Sequence, residues 1–435
     1  MILRRTLFVA LLCAASAGYS RPVASSSHPV WPRFRGPNGT GIGVAPEVPS
    51  VWDDSAIRWS FDLPGKGHSS PVVWRDRLYV TSADAKKREL ILSCLSAAGG
   101  LLLWEKRILI DPYRINRDNS YAASTPCVDE ERIYLYWATP KAVKVAAFTH
   151  GGRQVWCKDL GPYKSIHGGG VSPIAYKDLL IVPNDQQGQS FLIALSAATG
   201  SVKWRIGRKS GRAAYATPCV YRPAGGPGQL IFASTSCGLT GVDPESGKVI
   251  WEYPEAFPLR VVSSPIIADS LIVGTCGQGG LGRRLVALAL AEQSTKPQLA
   301  YELTKSVPYV PTPLAKGKRL FLLADNGVAS CVEARSGKLI WRQRLGDRFY
   351  SSFVCVGDRL FALSRKGRVF VLGAGDNFRL IAKFELPEGT HATPAVAGGF
   401  MYVRTFRRVF CVGPKAPSAS GAPASDRSYM GVHDS

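Results

Sequence analysis

One ten-residue phrase recurs through the chain and constrains its fold more than any other feature. The phrase reads VDPESGKVIW at 242–251, VEARSGKLIW at 332–341 and LSAATGSVKW at 195–204, and looser copies end at Trp104 and Trp156. Each copy starts as an apolar strand, turns at a Ser-Gly or Thr-Gly pair, and continues as a second apolar run that stops at tryptophan. The chain is therefore expected to consist of repeated antiparallel strand pairs.

A serine or threonine followed by proline precedes each copy and gives the period of the repeat. These dipeptides begin at Ser70, Thr125, Ser172, Thr217, Ser264, Thr312 and Thr393, and Ser352-Phe353 fills the remaining place. Successive marks lie 40 to 55 residues apart, which is the spacing of propeller blades that hold four short strands each. Two phrases that stay in step over eight copies are poorly explained by chance, so the sequence predicts eight blades.

The two ends of the repeat array complement each other. The last copy supplies apolar strands at 400–403 and 409–412 but no fourth strand, whereas residues 56–61 form a tryptophan-type strand with no partner upstream. We therefore predict an all-β, eight-bladed β-propeller of four-stranded antiparallel blades, closed by the N-terminal strand so that no sheet edge stays free. We expect the large side chains of the outer strands to pack between blades. The outer strands are marked by Trp104, Trp156, Trp204, Trp251, Tyr301, Trp341, Ile381 and Trp59.

The sequence divides into four segments. Residues 1–17 show the charged start, short apolar run and small-x-small cleavage signal of a signal peptide. Residues 18–51 are expected to hold a flexible segment and an N-terminal strap, in which Trp31 and Phe34 lie among Pro and Gly; a lid on the channel mouth is the alternative use. Residues 52–413 form the propeller. Residues 414–435 are rich in Ser, Ala, Pro and Gly and are expected to be a disordered tail.

Charge indicates the kind of partner. The 435 residues carry a formal net charge of +22, and a basic surface favours anionic partners. Because export argues against nucleic acid, we expect envelope proteins or anionic polysaccharide as partners, no nucleic acid, no transmembrane segment, and a monomer in the periplasm or cell envelope. The alternative is that the charge serves solubility alone.

The ten cysteines are expected to be mostly small buried side chains. Several recur at one equivalent strand position in different blades, too far apart to bridge. Cys237 and Cys276 end comparable strands of adjacent blades and are the one pair that could form a disulfide. The sequence contains no C-x-x-C-H haem site, no G-x-S-x-G and no H-E-x-x-H motif.

The connections that lead into each blade carry the candidate ligand-binding residues. They should surround the mouth of the central channel, where aromatic and polar side chains suit sugars, quinones or peptide segments. The alternative is that these side chains hydrogen-bond neighbouring backbone. The predicted rim consists of His68, Tyr121, His167, Tyr215, Arg260, Tyr309, Tyr350 and His391. In the longer connection before blade two, the oxygen ligands of Asn116, Asp118 and Asn119 give a weak calcium signal.

The phrase at 242–251, with its acid, Ser-Gly and tryptophan four residues after the glycine, resembles the blade motif of the pyrroloquinoline-quinone-like (PQQ-like) repeat propellers. The opening WPRFRGP at 31–37 looks like the start of exported bacterial members of that superfamily. The resemblance implies either a BamB-like, non-catalytic scaffold or a PQQ- and calcium-dependent alcohol or sugar dehydrogenase. Because adjacent cysteines and long blade insertions are missing, we expect a non-catalytic binding or scaffolding propeller without a cofactor and without catalytic residues or metal ligands. A carbohydrate-binding propeller is a third reading.

Overall fold

The computed structural model describes residues 29–223, 226–290 and 296–414. The eight predicted blades are present, and each contains four antiparallel strands. These follow one another along the chain from the channel outward, except that the N-terminal strand is the outer strand of blade eight. Blade one comprises Val72–Trp74, Arg77–Asp84, Glu89–Ser96 and Leu102–Leu109; blade two Cys127–Val128, Arg132–Thr139, Ala142–Thr149 and Gln154–Asp159; blade three Ile174–Tyr176, Leu179–Asn184, Ser190–Ser196 and Val202–Arg208; blade four Cys219–Tyr221, Gln229–Ser234, Gly238–Val242 and Val249–Tyr253.

The second half of the ring repeats this pattern and closes on the first. Blade five comprises Ile266–Ala268, Leu271–Gln278, Leu281–Ala289 and Gln298–Leu303; blade six Leu314–Lys316, Arg319–Leu323, Val328–Glu333 and Leu339–Arg344; blade seven Val354–Val356, Arg359–Leu363, Arg368–Gly373 and Leu380–Glu385; blade eight Ala395–Ala397, Phe400–Arg404, Arg408–Val412 and the N-terminal Ile57–Asp62. Ile57–Asp62 pairs with Arg408–Val412, which confirms the predicted closure by the N-terminal strand. Two short 3₁₀ helices span Pro37–Gly39 and Pro254–Ala256.

The recurring tryptophans join neighbouring blades, as predicted. The indole N–H of Trp156 donates to the carbonyl of Ala197 at 3.0 Å, and that of Trp204 to the carbonyl of Pro244 at 2.9 Å, each in the turn before the next blade's outer strand. Only glycine fits at its position in that turn. Gly200 has φ 71°, and a Cβ added there would lie 2.7 Å from the Trp156 ring. The phrase therefore encodes a contact with the preceding blade.

The serine or threonine before each blade proline joins the blades on the channel side. The backbone N–H of one residue donates to the hydroxyl oxygen of its counterpart in the next blade, over distances of 2.9–3.1 Å. These hydrogen bonds run from Ser70 to Thr125, Thr125 to Ser172, Thr217 to Ser264, Ser264 to Thr312, Thr312 to Ser352, Ser352 to Thr393, and Thr393 back to Ser70. We call this belt the hydroxyl ring.

An N-terminal strap crosses the channel at the end away from the predicted rim. Val30–Trp31 pairs with the inner strand of blade one, and Ile42–Gly43 pairs in parallel with that of blade seven, so these two sheets have five strands. The side-chain amide of Asn38 bonds both the N–H and the carbonyl of Val220 in blade four, at 2.7 and 2.8 Å. The strap thus closes one end of the channel, and the alternative of a lid over the mouth is wrong for it.

Two buried arginines fix this strap. Arg33 donates to the carbonyl of Pro218. Arg35 is 0% exposed and donates to the carbonyls of Thr312, Pro313 and Phe353 at 2.9–3.2 Å. Burial lowers the pKa of Arg35 to about 9, which leaves it charged at neutral pH. Backbone oxygens from blades six and seven therefore take the place of its water shell.

The nine cysteines of the described ranges are unpaired, and all but Cys157 are buried. The prediction of buried thiols is thus confirmed for most of them, and Cys237 and Cys276 form no bridge. Between residues 29 and 414, outside the two short gaps, no helix has the length and apolarity needed to cross a membrane. The predicted signal peptide and nearly all of the predicted tail lie outside the described residues.

Candidate functional site

The strap converts the channel into a blind cup. The cup has a volume of about 520 Å³ and opens at the rim. Phe34 of the strap forms part of its floor, and six members of the hydroxyl ring line its lower wall. The hydroxyl oxygens at this level accept backbone N–H groups of neighbouring blades, so their own hydrogens remain available to donate into the cup.

Seven of the eight predicted rim residues line this cup. They are His68, His167, Tyr215, Arg260, Tyr309, Tyr350 and His391. Tyr121 lines an adjoining cleft instead, because its hydroxyl group donates to the carbonyl of Tyr113 and accepts from the Tyr113 N–H at 3.1 Å. For Tyr121 the alternative of a backbone hydrogen bond therefore describes the structure. The binding role of the other seven stays a prediction.

The strongest grouping in the cup surrounds Arg365, which lies in the turn between two strands of blade seven. Its guanidinium carbon lies 4.3 Å from the ring centroid of Tyr350, and its Nε donates to His391 Nε2 at 3.2 Å. Its Nη2 forms an ion pair with Asp118, and the Tyr350 hydroxyl donates to the same carboxylate at 3.4 Å. The guanidinium of Arg365 and the phenol of Tyr350 thus share one carboxylate, and the His391 imidazole holds the guanidinium.

Histidine contributes aromatic surface here rather than charge. His391 packs on His68 with ring centroids 4.4 Å apart and on Tyr350 at 4.8 Å. Burial, and then the neighbouring Arg365, lower the pKa of His391 to about 4. Burial, and then His391, hold the pKa of His68 well below its usual range. Both rings are therefore neutral at pH 7, and the charge of the cup comes from other residues.

The charged side chains that line the cup are arginines with one exception. Arg117, Arg260, Arg348 and Arg365 line it, and of the described lining residues only Asp118 carries a carboxylate. The Nε of Arg260 is buried without a hydrogen-bond partner in the described structure. The cup is therefore rich in donors and positive in charge, which favours an anionic occupant.

The connection between blades one and two extends over the mouth. The Asn119 side-chain N–H donates to the carbonyls of His167 and Gly169 at 2.7 and 3.0 Å, and Asp118 reaches Arg365 in blade seven. The Asn116 side-chain oxygen accepts the N–H of Asp118 at 2.9 Å. The weak calcium signal of the sequence therefore marks a set of turn-forming side chains and an ion pair, and no cluster of three or more His, Cys, Asp or Glu suited to a metal occurs in the described ranges.

Two buried acids support the rim from behind. Asp185 forms a 2.9 Å ion pair with Arg208. Asp325 accepts the N–H groups of Tyr309 and Val310 at 2.7 and 3.1 Å, and burial raises its pKa to about 7. The Asp325 contacts hold the backbone from which Tyr309 enters the cup.

Sequence reasoning missed the floor and the ion pair of the cup. No local pattern links Phe34 to the residues that it faces across the floor. None links Asp118 to Arg365, which lies 247 positions further on. The hydroxyl ring is visible in the sequence as the repeated Ser or Thr before proline. That pattern did not predict the hydrogen bonds that these residues form between neighbouring blades.

The fold and the site together define an eight-bladed propeller with a blind, basic axial cup. A sequence model of the family described as outer membrane protein assembly factor BamB matches residues 87–322 and 309–412, so the chain belongs to this family. It is 26% identical over 311 residues to outer membrane protein assembly factor BamB of Shewanella oneidensis, which covers 66% of this chain and 72% of the relative.

Solved structures confirm the fold on both branches of the superfamily. BamB from Moraxella catarrhalis superimposes with a TM-score of 0.59 at 13% identity, over 82% of this chain and 97% of that one. A europium-containing methanol dehydrogenase superimposes with a TM-score of 0.66, also at 13% identity, over 86% and 89%. At this identity both likenesses concern the fold alone, and the site must decide between the functions.

Proposed function

We propose that this protein is a non-catalytic binding propeller of the bacterial cell envelope, with the cup and its rim as the binding face. The observation that carries the proposal is the donor set of the cup: its charged lining is arginine, and its one described carboxylate is paired with Arg365. Membership of a family named for outer membrane assembly supports the envelope as the place of action.

A calcium-bound quinone does not fit this lining. Calcium takes six to eight oxygen ligands, commonly including carboxylates. Asp118 is the one described acid of the cup, and Arg365 and Tyr350 already engage both of its oxygens. Three further arginines would repel the metal. The donor set therefore disfavours the dehydrogenase reading and favours an anionic partner.

Carbohydrate binding is the second candidate, and the wall of the cup favours it. Tyr215, Tyr309 and Tyr350 present aromatic surface beside the hydroxyl ring, a combination that suits the apolar faces and hydroxyl groups of sugars. We further propose that the protein is exported by its N-terminal signal, acts as a monomer, and meets envelope proteins or anionic polysaccharide at the rim rather than nucleic acid.

Reconstitution tests the choice between module and enzyme. The mature chain would be titrated with PQQ and calcium, and dye-linked oxidation of a panel of alcohols and sugars would be followed, with a quinone-dependent dehydrogenase as the positive control. We expect no calcium-dependent turnover. Stoichiometric quinone uptake with oxidation of any substrate would overturn the proposal and make the cup an active site.

Site-directed cross-linking tests the binding face. A photo-reactive residue would replace Lys366, which is exposed in a turn at the rim, and in a matched variant Lys338, which is exposed in a turn of the recurring phrase. We expect envelope cross-links from position 366 and few from position 338. Equal yields, or cross-links from 338 alone, would show that the rim is not the binding face.

A further inference from the structure

The Asp118–Arg365 pair has the form of an occupied anion site. Arginine recognises carboxylate by paired, charge-assisted hydrogen bonds, and the guanidinium of Arg365 is oriented for this by the face of Tyr350 and by His391 Nε2. The carboxylate that it holds belongs to a distant part of the chain. Both partners are partly accessible, with side-chain exposures of 24% for Arg365 and 29% for Asp118, so a carboxylate arriving from solvent could reach the same position.

The segment that carries Asp118 is built as a cover and not as part of a sheet. It lies between Leu102–Leu109 of blade one and Cys127–Val128 of blade two, and residues 110–126 contain no strand. Asp111 anchors its outer end through an ion pair with Arg88. Asn119 anchors it to the carbonyls of His167 and Gly169. Asp118 is the residue that spans the mouth, so loss of its one ion pair would uncover the Arg365 side of the cup.

The remainder of the cup accommodates the body of an acid rather than a bare anion. Its volume of about 520 Å³ lies within the roughly 300–1,000 Å³ of small-molecule sites. Tyr215 and Tyr309 stand beside Arg260, while the hydroxyl ring offers donors below them. The Phe34 floor is closed, so the occupant must be a small molecule or the end of a chain, not a chain that threads the channel.

We propose that the cup binds a carboxylated sugar of the hexuronate type, whose carboxylate replaces that of Asp118 at Arg365. The sugar ring lies against Tyr350 and its hydroxyl groups meet the hydroxyl ring. This inference rests on the proposed binding function and names the ligand class of the same site. Ligand binding and cover opening are then one equilibrium, because the two carboxylates compete for one guanidinium.

A charge-matched pair of variants tests the competition. Asp118→Asn removes the internal competitor, and Asp376→Asn removes an exposed acid that pairs with Arg319 outside the cup and its cover. Binding of D-galacturonate and of its dimer would be measured by calorimetry. We expect Asp118→Asn to bind at least about fivefold more tightly than the unaltered protein, since the competent state is no longer a minor fraction, and Asp376→Asn to bind unchanged. Arg365→Gln should weaken binding at least about tenfold.

Hydrogen exchange supplies a readout in the unaltered chain that does not depend on how any variant folds. We expect D-galacturonate to speed exchange at the amides of 116–120 and to slow it near Tyr350, and Asp118→Asn to show the fast exchange without ligand. D-Galactose tests the need for the carboxylate, and inorganic phosphate tests whether any anion suffices; we expect neither to reproduce the response.

Several results would overturn the inference. They are the same affinity in Asp118→Asn as in the unaltered protein, a response to galactose or phosphate equal to that of galacturonate, and no binding of galacturonate or its dimer by either protein at millimolar concentration. Each would leave the reconstitution result untouched. Conversely, PQQ-dependent oxidation would defeat the proposed function even if galacturonate bound, so the two failures are distinguishable.

Discussion

The two ends of the axial channel both use arginine, and they use it in opposite ways. At the strap end, Arg35 is fully buried and gives its donors to backbone carbonyls of two blades. At the rim, Arg365 remains partly exposed and faces one side-chain carboxylate on a strand-free connection. A guanidinium satisfied by backbone cannot exchange partners without breaking the ring, whereas one satisfied by a side chain can. The residue type alone therefore does not reveal function; the nature of its partner does.

Removal of a strap arginine should give the largest effect on the free energy of unfolding. Arg35→Ala leaves several buried carbonyls without donors, and we expect it to lower the free energy of unfolding by about 3–4 kcal/mol. Arg348→Ala removes an exposed arginine of the cup and should change it by less than about 0.5 kcal/mol. Urea titration followed by tryptophan fluorescence measures both. Equal losses from the two variants would show that the two ends do not differ as argued.

The hydroxyl ring lies between these ends, so we expect its residues to contribute both to stability and to ligand binding. Thr125→Val removes the oxygen that accepts the buried Ser70 N–H at 2.9 Å, so we expect a loss of about 1–2 kcal/mol in the free energy of unfolding. The same change removes a donor from the wall of the cup and should weaken galacturonate binding. Thr199→Val, on an exposed turn, is the control for both measurements. If Thr125→Val lowers the free energy of unfolding but leaves galacturonate binding unchanged, the hydroxyl ring has only a structural role.

The fold was predictable because its information is local and repeated. The strand, the Gly turn and the tryptophan of each phrase lie within ten residues, and the blade count followed from the period. Ring closure by residues 56–61 could be predicted because an incomplete last blade and an unpartnered first strand leave one solution. The fifth strand of two blades could not be predicted, because Trp31 pairs with Val73 through the backbone and no side-chain pattern indicates this pairing.

The site was predictable only in outline. The location of seven residues just before the blade prolines correctly predicted that they line the cup, since equivalent repeats place equivalent residues around one axis. The same rule was wrong for Tyr121, because the longer connection there supplies Tyr113 as a nearby partner. It could not pair Asp118 with Arg365 or Arg35 with Thr312, because residues hundreds of positions apart meet only when the ring has closed. Repetition thus predicts where side chains lie, and closure decides what they touch.

The smallest predicted effect concerns the pH dependence of stability, in which the two ends of the channel should also differ. Residues 29–43 of the strap contain no Asp, Glu or His, whereas His391 at the rim has its pKa lowered to about 4 by burial and then by Arg365. A base with a lowered folded pKa stabilises the fold above its unfolded pKa of about 6.5, and this contribution is lost as the pH falls towards 4. We therefore expect the free energy of unfolding of His391→Gln to approach that of the unaltered protein between pH 6.5 and 4.

Asp325, whose pKa is raised to about 7, has the opposite pH dependence, but it is present in both proteins and cancels from their difference. Phe406→Leu is the control, because Phe406 packs on His391 with centroids 5.2 Å apart and does not titrate; its deficit should stay nearly constant with pH. Urea titrations at several pH values from 7 to 4.5 measure all three proteins. A deficit of His391→Gln that stays constant over this range would mean that the histidine is as solvated at the rim as in the unfolded chain, and the contrast between a sealed strap end and a polar but desolvated rim would fail.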